Sequence, residues 1–265
     1  MNHDIARQMR ETYDKYYRSH GYRERYPVPN AATLDYLLRH GAREAEHILD
    51  FGCGDGRYAR ALLERTRARL TGFDISAPSL QELARSLNGS PHRDRVTLVG
   101  GTIDDLPHDP QYDLVLMLFG VLSHLGDRRT RIDTLCKLRE RMLPGGRLIL
   151  SVPSIYRRRP LDLCRHACAR WRGRARPPLH EAGNIGFVRY VHGDRLSFFY
   201  HLYTARRLAD ELRAAGFLLR DCEAESIFPE WWLMRSARLQ TLDRTLAKSV
   251  TPSLGYGIRA CAEMA

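Results

Sequence analysis

The densest chemistry in the chain is Asp50-Phe51-Gly52-Cys53-Gly54-Asp55-Gly56, which follows the apolar pair Ile48-Leu49 and runs straight into the helical stretch from Arg57 to Leu63. Glycines at alternate positions let a turn bring its main chain close to a ligand, and the free N–H groups at the helix start favour a carboxylate or phosphate. Twenty-four residues past Asp50 a second apolar run ends in Asp74. A carboxylate at that place accepts both hydroxyls of a ribose, so the pair of features predicts a nucleoside cofactor. The third feature is His124 in Phe119-Gly120-Val121-Leu122-Ser123-His124-Leu125, a neutral imidazole near pH 7 that either takes a proton from a substrate or packs and caps the next helix.

These groups need a scaffold. Short apolar runs at 47–51, 69–75, 95–99, 113–119 and 147–152 alternate with helical patterns at 57–67, 78–88 and 128–142, which predicts βαβ units and a parallel sheet. Asp127 reads as the N-cap of the helix at 128 and Leu143-Pro144-Gly145-Gly146 as its end. Residues 1–46 read as two helices around a loop, forming an N-terminal helical cap, with Asn30 capping the second. Beyond the central region, 196–203, a helix from Thr204 to Ala215, a strand at 217–227, a helical segment near 235–248 and a strand at 256–264 complete one domain from 47 to 265.

The glycine spacing is G-x-G-x-G preceded by an acid, not the G-x-G-x-x-G of dinucleotide binders. With Phe73-Asp74-Ile75-Ser76, the stretch from Leu106 to Leu125 and Leu143 to Pro153 in the same order, it resembles the class I S-adenosylmethionine-dependent methyltransferases over about 47–154, and more weakly over 196–264. The resemblance implies a doubly wound, seven-stranded, mostly parallel sheet of order 3-2-1-4-5-7-6, Rossmann-like, with the last strand antiparallel. It implies that Gly52, Gly54 and Gly56 wrap the methionine part of S-adenosyl-L-methionine, with Asp50 near its amino group. Asp74 and Ile75 would take the ribose side, Ile103 the adenine edge, and Phe119 would approach through its backbone. Tyr13 of the first helix would fold over the cofactor. Many relatives read G-D-A-x-x-L-P after the third strand; here Thr102 stands at the acid position and Asp104 lies two residues on.

Charge is concentrated in one place. Of 42 basic residues all but Lys15, Lys137 and Lys248 are arginine, and residues 155–195 hold ten arginines against Asp162, Glu181 and Asp194, which is +7 of the chain's +11. This segment reads as a basic lid inserted after the fifth strand. In it Leu161, Cys164, Cys168 and Trp171 form an apolar stripe at helical spacing. Cys164, His166 and Cys168 lack zinc spacing, so no metal is expected. With no long apolar run and a charged N-terminus, the chain is expected to be cytoplasmic and not inserted in a membrane. The expected activity is metal-independent methyl transfer to an oxygen or nitrogen of a small or medium-sized acceptor, with His124 as proton acceptor. The alternative is a tRNA-modifying methyltransferase whose lid arginines bind RNA. Tyr200-His201-Leu202 before a helix ending in Ala215-Gly216-Phe217 resembles a stretch of tRNA wobble-uridine methyltransferases, an ending that small-molecule enzymes share.

Overall fold

Ile48-Leu49-Asp50-Phe51 has no polar outward face, and β1 (His47–Phe51) is accordingly buried from Ile48 onward, the mark of a parallel strand covered on both sides. The computed structural model describes residues 3–175 and 178–265. Beside β1 lie β2 (Arg69–Asp74) and β3 (Val96–Gly100) on one side, and β4 (Tyr112–Met117) and β5 (Met142–Pro153) on the other. These five strands pair in parallel. The sheet is completed by β8 (Phe217–Ser226) and β9 (Gly257–Met264), in the order β3-β2-β1-β4-β5-β9-β8, with β9 antiparallel to both neighbours. Counting only strands of this sheet, that is the order 3-2-1-4-5-7-6. The strand order switches sides at β1, with β2 on one side and β4 on the other, which opens a crevice at the carboxyl ends of β1 and β4, where such sheets bind ligands.

Alternation along the strands assigns the two faces. Ile48, Leu114, Leu116 and Ile149 face α3 (Ala31–Leu37) and α4 (Arg57–Arg65), while Leu49, Val115, Met117, Leu148 and Leu150 face α6 (Arg128–Glu140) and α8 (Ala205–Ala214). The expected caps are in place: Asn30 accepts from Ala32 N at 2.9 Å, Asp127 from Thr130 N at 2.9 Å and Thr204 from Arg207 N at 3.2 Å. Leu34, Leu37 and Leu38 belong to the core of the sheet domain, so only α1 (His3–Arg18) and α2 (Gly21–Arg25) lie over the crevice as a cap. On the first face α5 (Ala77–Ser86) packs Leu83 against Cys53 and Leu70.

The segment after β5 differs from its sequence reading. It contains α7 (Pro160–Trp171) and a hairpin of β6 (Asn184–Val191) and β7 (Asp194–His201), a separate two-stranded sheet. Residues 196–201 therefore belong to the lid and not to the main sheet, because their apolar residues Leu196, Phe198 and Phe199 pack against α1 through Ile5, Met9 and Tyr16. The stripe on α7 is also turned the other way: Leu161 is 84% and Trp171 86% exposed, and Cys164 and Cys168 are exposed free thiols. The inner face of α7 is held instead by Leu163 and by His166, whose ring lies 3.1 Å from the Gly186 carbonyl. Short α9 (Glu230–Leu233) and α10 (Ala237–Lys248) cover the edge beside β8. No helix among the described residues is long and apolar enough to cross a membrane.

Candidate active site

The turn after β1 is forced by its glycines. Gly52 has φ +88°, Gly54 +56° and Gly56 +79°, a region side chains rarely adopt. Space is short as well: a Cβ on Gly52 would sit 2.4 Å from Val121 Cγ2, and one on Gly54 2.2 Å from the Tyr17 hydroxyl. Gly52 N and Cys53 N donate to Phe73 O at 2.7 and 3.0 Å, tying the turn to the end of β2. There the Asp74 carboxylate accepts from Gly54 N on one oxygen and from Ser76 N on the other, both at 2.8 Å. Burial pushes its pKa up to about 6 against those two bonds. Asp50, one turn of chain deeper, is pushed up to about 7 by burial and then by the Asp74 charge.

Above this turn lies a largely apolar cavity of about 130 Å³. Its floor is Gly52, Asp74 and Phe119, one wall is Ile75, Thr102 and Ile103, and α1 closes it with Met9, Tyr13 and Tyr17. Phe119 holds φ +62°, a conformation that costs a β-carbon residue roughly 1–2 kcal/mol. It is fixed by Phe119 N donating to Ser151 Oγ at 2.8 Å and by Tyr26, whose ring centroid is 4.7 Å away. The surrounding contacts hold this strained conformation at the carboxyl end of β4.

His124 lies on the same cavity. Its Nδ1 is 2.8 Å from the Phe199 carbonyl, which can only accept, so Nδ1 carries the proton and Nε2 accepts from the Tyr13 hydroxyl at 2.9 Å. Burial pushes its pKa down to about 4, and the ring is therefore neutral at pH 7. Both nitrogens are engaged. Ser76 Oγ donates to Asp14 at 2.7 Å, a second tie between the crevice and α1.

Residues 49–148 match the family model described as a methyltransferase domain. That stretch is similar to methyltransferase domains in sequence, and the sheet order is that of the class I fold. Two solved structures share its architecture. One is the 1,6-didemethyltoxoflavin-N1-methyltransferase of Burkholderia thailandensis, with bound 1,6-didemethyltoxoflavin and S-adenosylhomocysteine (TM-score 0.62, 21% identity, covering 100% of this chain and 90% of that one). The other is the CcbJ methyltransferase of Streptomyces caelestis (TM-score 0.62, 16% identity, 90% of this chain and 91% of that one). In sequence the chain is 31% identical to the tRNA U34 carboxymethyltransferase of Pseudoalteromonas atlantica over 107 residues, 40% of this chain and 32% of that protein. The chain thus spans about a third of the length of the curated relatives it matches.

Seven of the ten residues expected at the cofactor line the cavity: Tyr13, Gly52, Asp74, Ile75, Thr102, Ile103 and Phe119, together with His124. Asp50, Gly54 and Gly56 stand behind it; a Cβ on Gly56 would meet Leu83 Cδ1 at 2.2 Å, so that glycine serves helix packing. Thr102 uses its hydroxyl and its N–H on Asp105 Oδ2, at 2.9 and 2.7 Å, while Asp104 turns away to Lys137. Glu181, His201 and Glu211 come within metal-ligand reach of one another, yet Arg131 already supplies the positive charge there, bonded to both glutamates at 2.6 and 2.7 Å. Sequence reasoning missed a second, charged cavity behind Phe119, lined by Arg25, Arg158, Arg189, Glu225 and Glu230. No local motif announces it, because its residues come from six separate stretches of chain.

Proposed function

We propose that the protein is an S-adenosylmethionine-dependent methyltransferase acting on oxygen or nitrogen of a small or medium-sized acceptor. The observation that carries this reading is the cradle formed by the three left-handed glycines and the Asp74 carboxylate under one apolar cavity. Each Asp74 oxygen spends one acceptor position on the backbone and keeps another for a ribose hydroxyl. Ile75 and Ile103 offer the flat apolar walls an adenine needs, and Gly52 admits close main-chain approach. The bound cofactor supplies an activated methyl on a sulfonium sulfur. What the chain supplies is alignment and exclusion of water, which α1 provides by closing the cavity.

In this reading His124 is a positioning residue: its lone pair holds the Tyr13 hydroxyl and so fixes α1 over the cofactor. An imidazole with a pKa near 4 and an occupied lone pair is poorly suited to remove a proton at neutral pH. A second reading, tRNA modification, is favoured by the similarity to tRNA U34 carboxymethyltransferases and by Arg165, Arg172 and Arg174 on the exposed side of the lid.

The test is calorimetric titration with S-adenosylhomocysteine. The wild type should bind it, and Asp74→Ala should weaken binding about 100-fold, the loss of two hydrogen bonds to a charged acceptor, about 3 kcal/mol. Absence of binding to the wild type would remove the proposal.

A further inference from the structure

Phe119 is the shared wall of two cavities, and the second is chemically unlike the first. It is about 30 Å³, room for roughly two water-sized groups, and its walls include Tyr26, Arg158, Arg189, Glu225 and Trp231. Arg158 and Arg189 both come from the lid. The Arg158 guanidinium lies 4.7 Å over the Tyr256 ring and 5.5 Å over Tyr200. Among the described residues its side chain makes no ion pair and no hydrogen bond, so the N–H fork is free for a ligand. Arg189 keeps one bond, to the Tyr16 hydroxyl at 3.2 Å, and likewise makes no ion pair among the described residues.

The acids nearby do not cancel this charge. Glu230 is taken by Arg57 in a short ion pair. Glu225 is pushed up to about 7, first by burial and then by the Glu230 charge, against the pull of Arg259, Ser151 and Arg158, so it is only about half ionised at neutral pH. Half-buried guanidinium groups without a counter-ion are costly, and their planar fork matches a carboxylate or phosphate.

We infer that this cavity is the anion subsite of the acceptor: the molecule methylated carries a carboxylate or phosphate group, and Arg158 and Arg189 hold that group on the far side of Phe119 from the cofactor. The word acceptor rests on the methyltransferase reading; the anion site itself does not. Ten arginines gave the lid its charge in the sequence, and two of them acquire a specific task here.

The experiment follows the unfolding temperature of the full chain, loaded with S-adenosylhomocysteine, during titration with inorganic phosphate and separately with acetate, at ionic strength held constant with sodium chloride. Saturable stabilisation is expected for the wild type. Arg158→Gln should weaken it at least about tenfold and Arg189→Gln severalfold, with S-adenosylhomocysteine affinity unchanged within about twofold. Acetate stays ionised from pH 6 to 8, and its affinity should fall across that range as Glu225 ionises among Arg25, Arg158, Arg189, Arg259, Glu230, Tyr26 and Tyr256; Glu225→Gln should flatten the fall. Equal stabilisation of wild type and both arginine variants, or none beyond chloride, overturns the inference, as does stabilisation by tRNA but by neither small anion. If Arg158→Gln does not fold, Arg189→Gln is read in the same way. Failure of S-adenosylhomocysteine to bind the wild type removes the methyltransferase reading, while titration of the unloaded protein still decides the anion site.

Discussion

The two cavities that meet at Phe119 are made in opposite ways. The cavity over the glycine turn rests on chain-local turns: three glycines within five residues and an aspartate at the end of the neighbouring strand, tied by main-chain hydrogen bonds. The far cavity is assembled mainly from side chains on distant stretches of sequence, and its lid arginines are long, charged and weakly tied. A site built from backbone tolerates little change and serves one ligand. One built from arginines on a lid is free to change its acceptor while the sheet stays the same.

If the two sides are separable, the clasp between them is the place to cut. Arg131 on α6 donates to Glu181 in the lid at 2.6 Å, to both oxygens of Glu211 on α8 and to the Gly126 carbonyl, and it is fully buried. Tyr203 adds a bond to Glu211 at 2.8 Å. Arg131→Met leaves Glu211 as a buried charge with only the Tyr203 hydroxyl on it and no cation, and should cost about 3–5 kcal/mol in urea unfolding. Hydrogen exchange should show the hairpin β6–β7 losing more protection than β1 and β4. Equal loss in both would mean that lid and sheet unfold as one unit and the separation is false.

A smaller effect concerns the glycine-turn side alone. The pKa of Asp50 is about 7 in the folded chain against an ordinary value of 3.8, so the folded state binds more protons than the unfolded one between about pH 4 and 7. Stability from this group therefore falls as pH rises through that window and is flat above it. Asp74 has the same sign up to about pH 6, whereas His124, lowered to about 4, makes stability rise with pH between about 4 and 6.5. Asp50→Asn removes one falling contribution. Its stability relative to wild type should improve from pH 4.5 to 7.5 by roughly 1 kcal/mol or more, since one pKa unit is about 1.4 kcal/mol. Denaturant midpoints at the two pH values measure this, and a constant difference would show that the burial of Asp50 carries no electrostatic strain.

What could be read from the sequence follows the same division. Strand and helix bounds near the sheet lie within a few residues of expectation because apolar runs, caps and glycine turns are local signals, and the sheet order was implied by the resemblance. The turn at Thr102 is less legible, since its hydroxyl closes a local turn with Asp105. The lid is less legible in two respects. The hairpin at 184–201 was divided between lid and sheet because its apolar residues find their partners on α1, nearly two hundred residues away in sequence. The stripe on α7 has a helical period, but period alone does not say which side faces the core.

That stripe carries the smallest prediction. Leu161, Cys164, Cys168 and Trp171 share the solvent side of α7 with Arg165 and Arg172, whereas Leu163 and His166 hold the helix to the hairpin. Since little area is buried by the outer side chains, Leu161→Ala and Arg165→Glu should each change stability by no more than about 0.5 kcal/mol. Neither should alter S-adenosylhomocysteine affinity, because no residue of α7 lines either cavity. The two readings of the acceptor part company at this surface. A small anion held by Arg158 and Arg189 is indifferent to Arg165→Glu, while a tRNA gripped by the outer arginines would lose affinity, and the slope of log affinity against log salt would become shallower by about one for each phosphate contact removed. We expect no salt-steep tRNA binding; finding it, and finding it weakened by Arg165→Glu, would move the acceptor from the inner arginines of the lid to the outer ones.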